Sequence, residues 1–346
     1  MNGKTVLVTG GAGFIGSNFV RYLLGKYPSC KVINIDKLTY AGNLDNLQDL
    51  QQDPRHVFVQ ADIADPVKIE QLFQEWKPQI VVNFAAESHN DRAVLNPKLF
   101  LETNVLGTQN LLEACRKLGI ERFHHISTCE VYGDLALDDP NTFSEHSRYN
   151  PKTPYNASKA AADHIAKAYF HTFKVPITIS NCGNNYGPYQ YPEKLIPLFV
   201  TNALEWKKLP LFKSSQNKRE WIHVLDHCEA VDIIIQHGKV GETYNVGTGV
   251  EKSIEEITAI ILQLLGRSDG LKEYVQDRAG HDRRYPLDSS KIKRELGWQP
   301  KVSFEQGMQD TIQWYVKNGW WWKRIKAGDF QKYYDEYYGK LKKEDA

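Results

Sequence analysis

A short apolar run, TVLVT at residues 5 to 9, passes directly into GGAGFIG at residues 10 to 16, which spaces Gly10, Gly13 and Gly16 three apart where a helical pattern opens. A strand that turns into a helix through such a loop constrains the fold more than anything else in the chain. Glycine permits the tight turn, and without a Cβ the backbone N–H groups and the positive helix end can approach a diphosphate. The alternation then continues: KVINID (31 to 36), HVFVQAD (56 to 62), IVVNFAA (80 to 86), RFHHIST (122 to 128) and ITISN (177 to 181) are short and apolar, like strands buried on both faces. Between them Phe100, Leu101, Val105, Leu111, Leu112 and Leu118 recur on one side, with Glu and Lys on the other. The pattern predicts an α/β fold, a doubly wound parallel sheet wrapped by helices.

Beyond residue 182 the rhythm shifts to a Pro-, Tyr- and Asn-rich stretch, with helices expected near 226 to 237 and 253 to 265. We therefore expect a Rossmann domain over residues 1–182, with the chain crossing back near 220–245. A smaller α/β substrate lobe is expected over 183–330 and a C-terminal tail over 331–346. Hydrophobic residues are 41 % and charged residues 25 %, enough for a sizeable core. Lys and Arg total 43 against 42 Asp and Glu, with no basic block, which argues against nucleic acid as a partner. No apolar stretch is long enough to cross a bilayer and the start lacks a signal-peptide layout, so the expected location is cytoplasmic. The five cysteines are scattered without a C-x-x-C pair, implying neither disulfides nor a metal site. Four read as ordinary buried thiols; Cys129 stands apart. The Trp320, Trp321, Trp322 run reads as a packing anchor for a docked terminal helix.

The second strand ends in Asp36, twenty residues past Gly16, where a carboxylate can accept hydrogen bonds from a ribose diol. Such a carboxylate repels a 2′-phosphate, so NAD is favoured over NADP, although Lys37 offers a partial counter-charge. Phe14 and Ile15 lie in the first helical turn. Asp62 and Ile63 follow the third strand, and Phe84, Ala85 and Ala86 end the fourth, at the carboxyl edge where such sheets hold ligands. Thr39, Ser88 and Thr103 complete the candidate cofactor set. Further on, Tyr155 and Lys159 form Y-x-x-x-K, one helical turn apart, preceded by Ser127 and Thr128 at the end of the fifth strand. A phenol of reference pKa about 10 becomes a usable base when an ammonium and the nicotinamide charge favour phenolate. Tyr155 would take the proton of a sugar hydroxyl while the geminal hydride moves to NAD.

Together these motifs resemble the extended short-chain dehydrogenase/reductase superfamily. AAESHNDR (85 to 92), ETNVLGTQNLLEAC (102 to 115), PYNASKAAADH (154 to 164), NCGNNYGPYQYPEKLIP (181 to 197), NKREW (217 to 221) and DRAGHDRRYPLDSSKIKRELGW (277 to 298) look like dTDP-glucose 4,6-dehydratases over nearly the whole length. The resemblance implies that Thr128 binds the 4-hydroxyl, Tyr155 is the base for its oxidation, Lys159 orients the nicotinamide ribose and Glu130 handles the proton at carbon 5. It further implies that Asn184, Glu193, Lys194 and Leu195 contact sugar and phosphates, with Ser88 and His89 nearby. Arg219 and Arg278 would clamp the diphosphate, and Asn245 and His281 would complete the nucleotide pocket. The helices at about 97 to 118 and 154 to 173 would pair in a homodimer. His124 and His125 adjoin in a strand, point to opposite faces and read as structural.

One position departs from the family. Its fifth strand normally ends in Ser-Thr-Asp-Glu, whereas this chain has Ser127, Thr128, Cys129, Glu130. In the dehydratases that Asp protonates the departing 6-hydroxyl. A thiol of reference pKa about 8.5 is less suited to that task than an acid of about 3.9, though it can protonate an enolate. The leading expectation is therefore oxidation at carbon 4 and hydride return to carbon 6 on a substrate that already carries a 5,6-double bond. The Thr-Cys-Glu variant resembles enzymes handling UDP-GlcNAc-derived 5,6-enes in tunicamycin and pseudaminic acid routes. The alternatives are conventional 4,6-dehydration of a dTDP- or UDP-glucose, another nucleotide-sugar reaction such as 4-epimerisation, and a non-catalytic NAD-binding scaffold.

Overall fold

A computed structural model describes residues 1–277, 280–328, 330 and 334 of the chain. The first half alternates as its sequence requires: β1 (Thr5–Thr9), α1 (Phe14–Lys26), β2 (Lys31–Asp36), β3 (His56–Gln60), α2 (Pro66–Trp76) and β4 (Ile80–Asn83). Next come α3 (Asn90–Leu95), α4 (Pro97–Phe100), α5 (Thr108–Leu118), β5 (Arg122–Thr128), α6 (Pro154–Phe173) and β6 (Ile177–Cys182). The remainder runs β7 (Asn184–Tyr186), α7 (Leu195–Leu204), β8 (Leu209–Phe212), β9 (Lys218–His223), α8 (Val224–His237) and β10 (Thr243–Val246). It ends with β11 (Glu251–Ser253), α9 (Ile254–Leu264), β12 (Lys272–Val275), α10 (Ser290–Leu296), α11 (Phe304–Lys317) and α12 (Gly319–Lys326).

Among the described residues the main sheet has seven strands in the order β10-β6-β5-β4-β1-β2-β3, all neighbours parallel. Both faces are covered. Val6, Val8, Phe19 and Val231 pack on one side, Leu7, Val81, Leu111 and Ile177 on the other. This accounts for the continuous apolar runs, since alternate residues of each strand meet a different helical layer. The order reverses between β1 and β4, which places a crevice at the carboxyl ends of those strands. After β6 the chain builds small sheets, β11-β9-β7 and β12-β8, around a core that includes Tyr186, Phe199, Trp221, Ile257 and Met308, and β10 returns to pair with β6.

Side-chain caps mark the starts of α2, α6 and α9. Asp65 accepts from the N–H groups of Val67 and Lys68 ahead of Pro66, Thr153 accepts from Asn156 N ahead of Pro154, and Ser253 and Glu256 form a reciprocal capping box. One expected helix is interrupted: between α4 and α5, Leu101–Gly107 is π-helical. The wider turn seats Asn104 inward, where its amide exchanges hydrogen bonds with the backbone of Glu87 and donates to Ser158 Oγ at 2.8 Å. Trp321 and Trp322 anchor α12 by burial and by indole N–H bonds to Asn46 Oδ1 and Tyr315 O, while Trp320 is exposed. The expected tail, 331–346, lies outside the described residues apart from Tyr334.

Two buried histidines set an acid limit. His124, bonded to Thr178 and Ser180 in the sheet, is pushed down to about 3 by burial, and His227 in α8 to about 4 by the same cause. The unfolded chain binds protons at about 6.5 where the folded protein refuses them, so stability is full above that pH and is lost as pH falls toward 4. Each group costs roughly 3 kcal/mol at pH 4, and the pair consumes a large part of a typical folding free energy. Urea midpoints measured between pH 7 and 4 are expected to fall steeply below pH 6, and His227→Asn is expected to flatten that fall.

Candidate active site

The turn after β1 leaves no room for side chains. Gly10 has φ +68°, and a Cβ there would sit 2.7 Å from Ala85 N, while one on Gly16 would overlap the Gly10 carbonyl. α1 begins without a capping side chain, so its first-turn N–H groups face the cavity lined by Gly10, Gly13, Phe14, Ile15 and Gly16. At the end of β2, Asp36 accepts from Ala12 N at 3.0 Å and Leu38 N at 2.8 Å. Burial raises this carboxyl, and the two N–H bonds oppose the shift. Lys37 pairs with Asp62 at 2.6 Å, so its charge is matched within the protein rather than offered to a 2′-phosphate. Bare N–H groups, an acid and a neutralised lysine fit a dinucleotide with a free ribose diol, that is, NAD.

Thr39, Ile63, Phe84, Ala85, Ala86, Ser88 and Thr103 line the same cavity, as do Thr128, Cys129, Glu130, Tyr155 and Lys159. The carboxyl ends of β5 and β6 make the reactive corner. Tyr155 lies in the first turn of α6, 8 % exposed, its ring edge-on to Phe100 at 6.3 Å. Burial holds its phenol well above its ordinary value, with Glu130 adding to the rise and a hydrogen bond with Thr128 opposing it. Lys159 donates to Ile126 O at 2.6 Å and lies 3.2 Å from His125 Nε2; burial brings its ammonium down to about 8, against the pull of Asp163. The Lys159 ammonium points at the strand backbone, and burial dominates at the Tyr155 phenol. The Cys129 thiol is pushed well above its ordinary value by burial, and next by Glu130, so it is fully protonated at neutral pH.

On the substrate side, Asn184, Glu193 and Lys194 line the cavity. Asn184 Oδ1 is buried without a protein partner, a free acceptor for a hydroxyl. Arg92 donates to Glu193 Oε2 at 3.0 Å, and Lys194 Nζ donates to Ser88 O at 2.8 Å. His89 precedes α3 beside the cavity lining, its Nε2 3.4 Å from Asp91 Oδ2.

Other expected substrate residues lie off the cavity lining. Leu195 opens α7 and packs on the second-lobe core. Asn245 is fully buried, with Oδ1 accepting from Tyr132 OH at 2.9 Å and Nδ2 donating to Phe143 O at 2.9 Å; its hydrogen-bonding groups are engaged within the fold. Arg219 donates to Lys218 O and Asp282 O and stacks over Tyr285 at 4.7 Å, while His281 Nδ1 meets Ser214 Oγ at 3.0 Å. Arg278 lies outside the described residues. His124 and His125 are both buried in the sheet.

Sequence reasoning passed over Cys182, which lines the cavity rather than serving only as a core thiol. The signal was register: Cys182 pairs with Thr128 across β5 and β6, and both stand at the carboxyl edge. Glu87, Asn185, Gln190 and Tyr191 also line the cavity.

A family model described as GDP-mannose 4,6 dehydratase matches residues 7–311. A dTDP-glucose 4,6-dehydratase of Salmonella typhimurium is 45 % identical, over 96 % of this chain and 98 % of that protein. The crystal structure of a dTDP-glucose 4,6-dehydratase from Bacillus anthracis in complex with NAD superposes with a TM-score of 0.87 at 48 % identity, covering 93 % of this chain and 99 % of the other. One from Streptomyces venezuelae, also solved with NAD bound, gives a TM-score of 0.90 at 46 % identity, covering 93 % and 99 %.

Proposed function

Because this chain belongs to the GDP-mannose 4,6 dehydratase family, we propose that it is an NAD-dependent 4,6-dehydratase of a nucleoside-diphosphate glucose, with dTDP-glucose as the substrate. The observation that carries the proposal is that Thr128, Glu130 and Tyr155 line the same cavity as Gly10 and Asp36, so the proton-handling groups and the dinucleotide cradle share one space. The Salmonella, Bacillus and Streptomyces relatives, all dTDP-glucose 4,6-dehydratases by name, favour this reading over a 5,6-ene substrate.

Gly10–Gly16 and Asp36 would hold NAD, which would supply a hydride acceptor and donor for the transfer from sugar carbon 4 to carbon 6. The protein supplies the rest. Thr128 holds the 4-hydroxyl and Tyr155 takes its proton as carbon 4 becomes a ketone. The ketone acidifies carbon 5, and the Glu130 carboxylate removes that proton. The bond from carbon 6 to oxygen breaks, and the leaving oxygen receives a proton from the Cys129 thiol and departs as water. Glu130 then returns a proton to carbon 5. The proton gained at Tyr155 balances the one given up at Cys129, so the sum is loss of one water with no net oxidant.

A second reading rests on Cys129 itself: a buried thiol is a weaker acid than the family's Asp, which favours a ready-made UDP-sugar 5,6-ene that is oxidised at carbon 4 and takes the same hydride back at carbon 6, where no hydroxide leaves. The test is NMR product identification with 4-deuterated dTDP-glucose, UDP-GlcNAc and a UDP-sugar 5,6-ene, each offered separately. The expected result is dTDP-4-keto-6-deoxyglucose with deuterium in the methyl group. Conversion of the ene with dTDP-glucose left untouched would replace the first reading with the second.

The proposal extends to a homodimer. Leu95, Leu101 and Leu106 are 63 %, 52 % and 55 % exposed along the segment beside α6, an apolar strip suited to a second copy of this chain.

A further inference from the structure

Resting on the dehydratase reading above, we infer that Asn90 is a positioning residue for Glu130, the end of a directed hydrogen-bond chain that starts at the first turn of α6. Asn90 opens α3 and is 8 % exposed. Its Nδ2 donates to Glu130 Oε2 at 2.9 Å, and its Oδ1 accepts from Thr153 Oγ1 at 2.6 Å. Thr153 caps α6, and its Oγ1 accepts from Asn156 N at 3.2 Å.

The direction of this chain is fixed by donor and acceptor inventory. A carboxylate at Glu130 can only accept, so Asn90 turns its NH₂ there, and the single hydrogen of the Thr153 hydroxyl, whose oxygen also accepts a helix N–H, goes to the Asn90 carbonyl. The Asn90 carbonyl is thereby committed to Thr153, which leaves only its NH₂ to face Glu130. An amide held in this sense donates to Glu130 Oε2 and cannot accept a hydrogen bond from it. Oε2 is therefore pinned, with the other oxygen left to meet the proton on carbon 5. The same helix that presents Tyr155 also sets, through Thr153 and Asn90, the base for the next step. The segment carrying β5 constrains Glu130 from the other side, because Glu130 N donates to Thr128 Oγ1 at 3.2 Å.

Asn90→Leu, close in size but without a donor, and Asn90→Asp, which keeps the Thr153 bond and sets an acid beside Glu130, test this. With dTDP-glucose, both are expected to lower kcat about tenfold to a hundredfold with KM within about twofold. Proton removal at carbon 5 becomes limiting, so a 5-deuterated substrate shows a primary isotope effect larger than in the unaltered protein. In a crystal structure of Asn90→Leu, the Glu130 side chain is expected to lose its single position. That arm needs no turnover, so it separates failure of this inference from failure of the dehydratase reading, which the unaltered protein reports by leaving dTDP-glucose unconverted. An unchanged isotope effect in both variants, or a Glu130 that keeps its place without Asn90, would overturn the positioning role.

Discussion

Tyr155→Phe is expected to lower kcat on dTDP-glucose by about 10²- to 10⁴-fold with KM within about threefold, the range that a positioned acid–base group contributes. The substitution removes one oxygen and nothing else. Phe keeps the edge-on contact with Phe100 and the buried position in the first turn of α6, so thermal stability is expected to hold. What goes is the acceptor for the 4-hydroxyl proton, and with it every later step, because carbon 5 is acidic only once carbon 4 is a ketone. Steady-state kinetics together with a thermal unfolding curve check this. A variant that keeps more than a tenth of the activity would place the base elsewhere. The pH profile adds a second reading of the corner: Lys159, brought down to about 8 by burial, loses its charge as pH rises through that value. Activity that depends on this cation declines above pH 8. For stability the sign is opposite, because the unfolded chain holds that proton up to about 10.5 and folding becomes easier as pH rises from 8.

The second large effect is at Cys129. Cys129→Ala is expected to reduce dehydration of dTDP-glucose about a hundredfold while leaving oxidation at carbon 4 intact, since only the donor for the departing hydroxide is lost. Cys129→Asp is expected to do the reverse and raise dehydration about tenfold or more. The site is 1 % exposed and packed with Val131, Tyr132, Ala160, Tyr285 and Leu287, so burial raises the carboxyl of an Asp there while leaving it a stronger acid than the thiol. Product formation followed by NMR, with carbon-4 oxidation followed separately, distinguishes the two steps. If neither variant alters the rate, the proton for water comes from another group. If Cys129→Asp creates dehydration where the unaltered protein had none, the 5,6-ene reading takes over.

Much of this site was legible without coordinates because its parts are local. The strand, glycine turn and Asp36 sit within one βαβ unit, and Tyr155 and Lys159 within one helical turn, so spacing alone placed them. The departure at Cys129 was likewise plain from four adjacent letters. Other features depended on pairings distant in sequence. Cys182 reaches the cavity only through the register of β6 on β5, and Asn245, which the family resemblance implies for a nucleotide pocket, has its polar groups engaged within the fold by Tyr132 and Phe143. Nor could spacing tell that Lys37 would be matched by Asp62, that the Lys159 ammonium would turn to the Ile126 carbonyl, or that Asn90 would be oriented by Thr153 and so by the cap of α6. Sequence by itself determined the alternation of strands and helices and the dinucleotide turn, because periodicity and backbone permissiveness act over a few residues. Only the tertiary structure decided the protonation and orientation of the reacting groups, because those follow from burial and from hydrogen bonds between segments that meet solely in the folded chain.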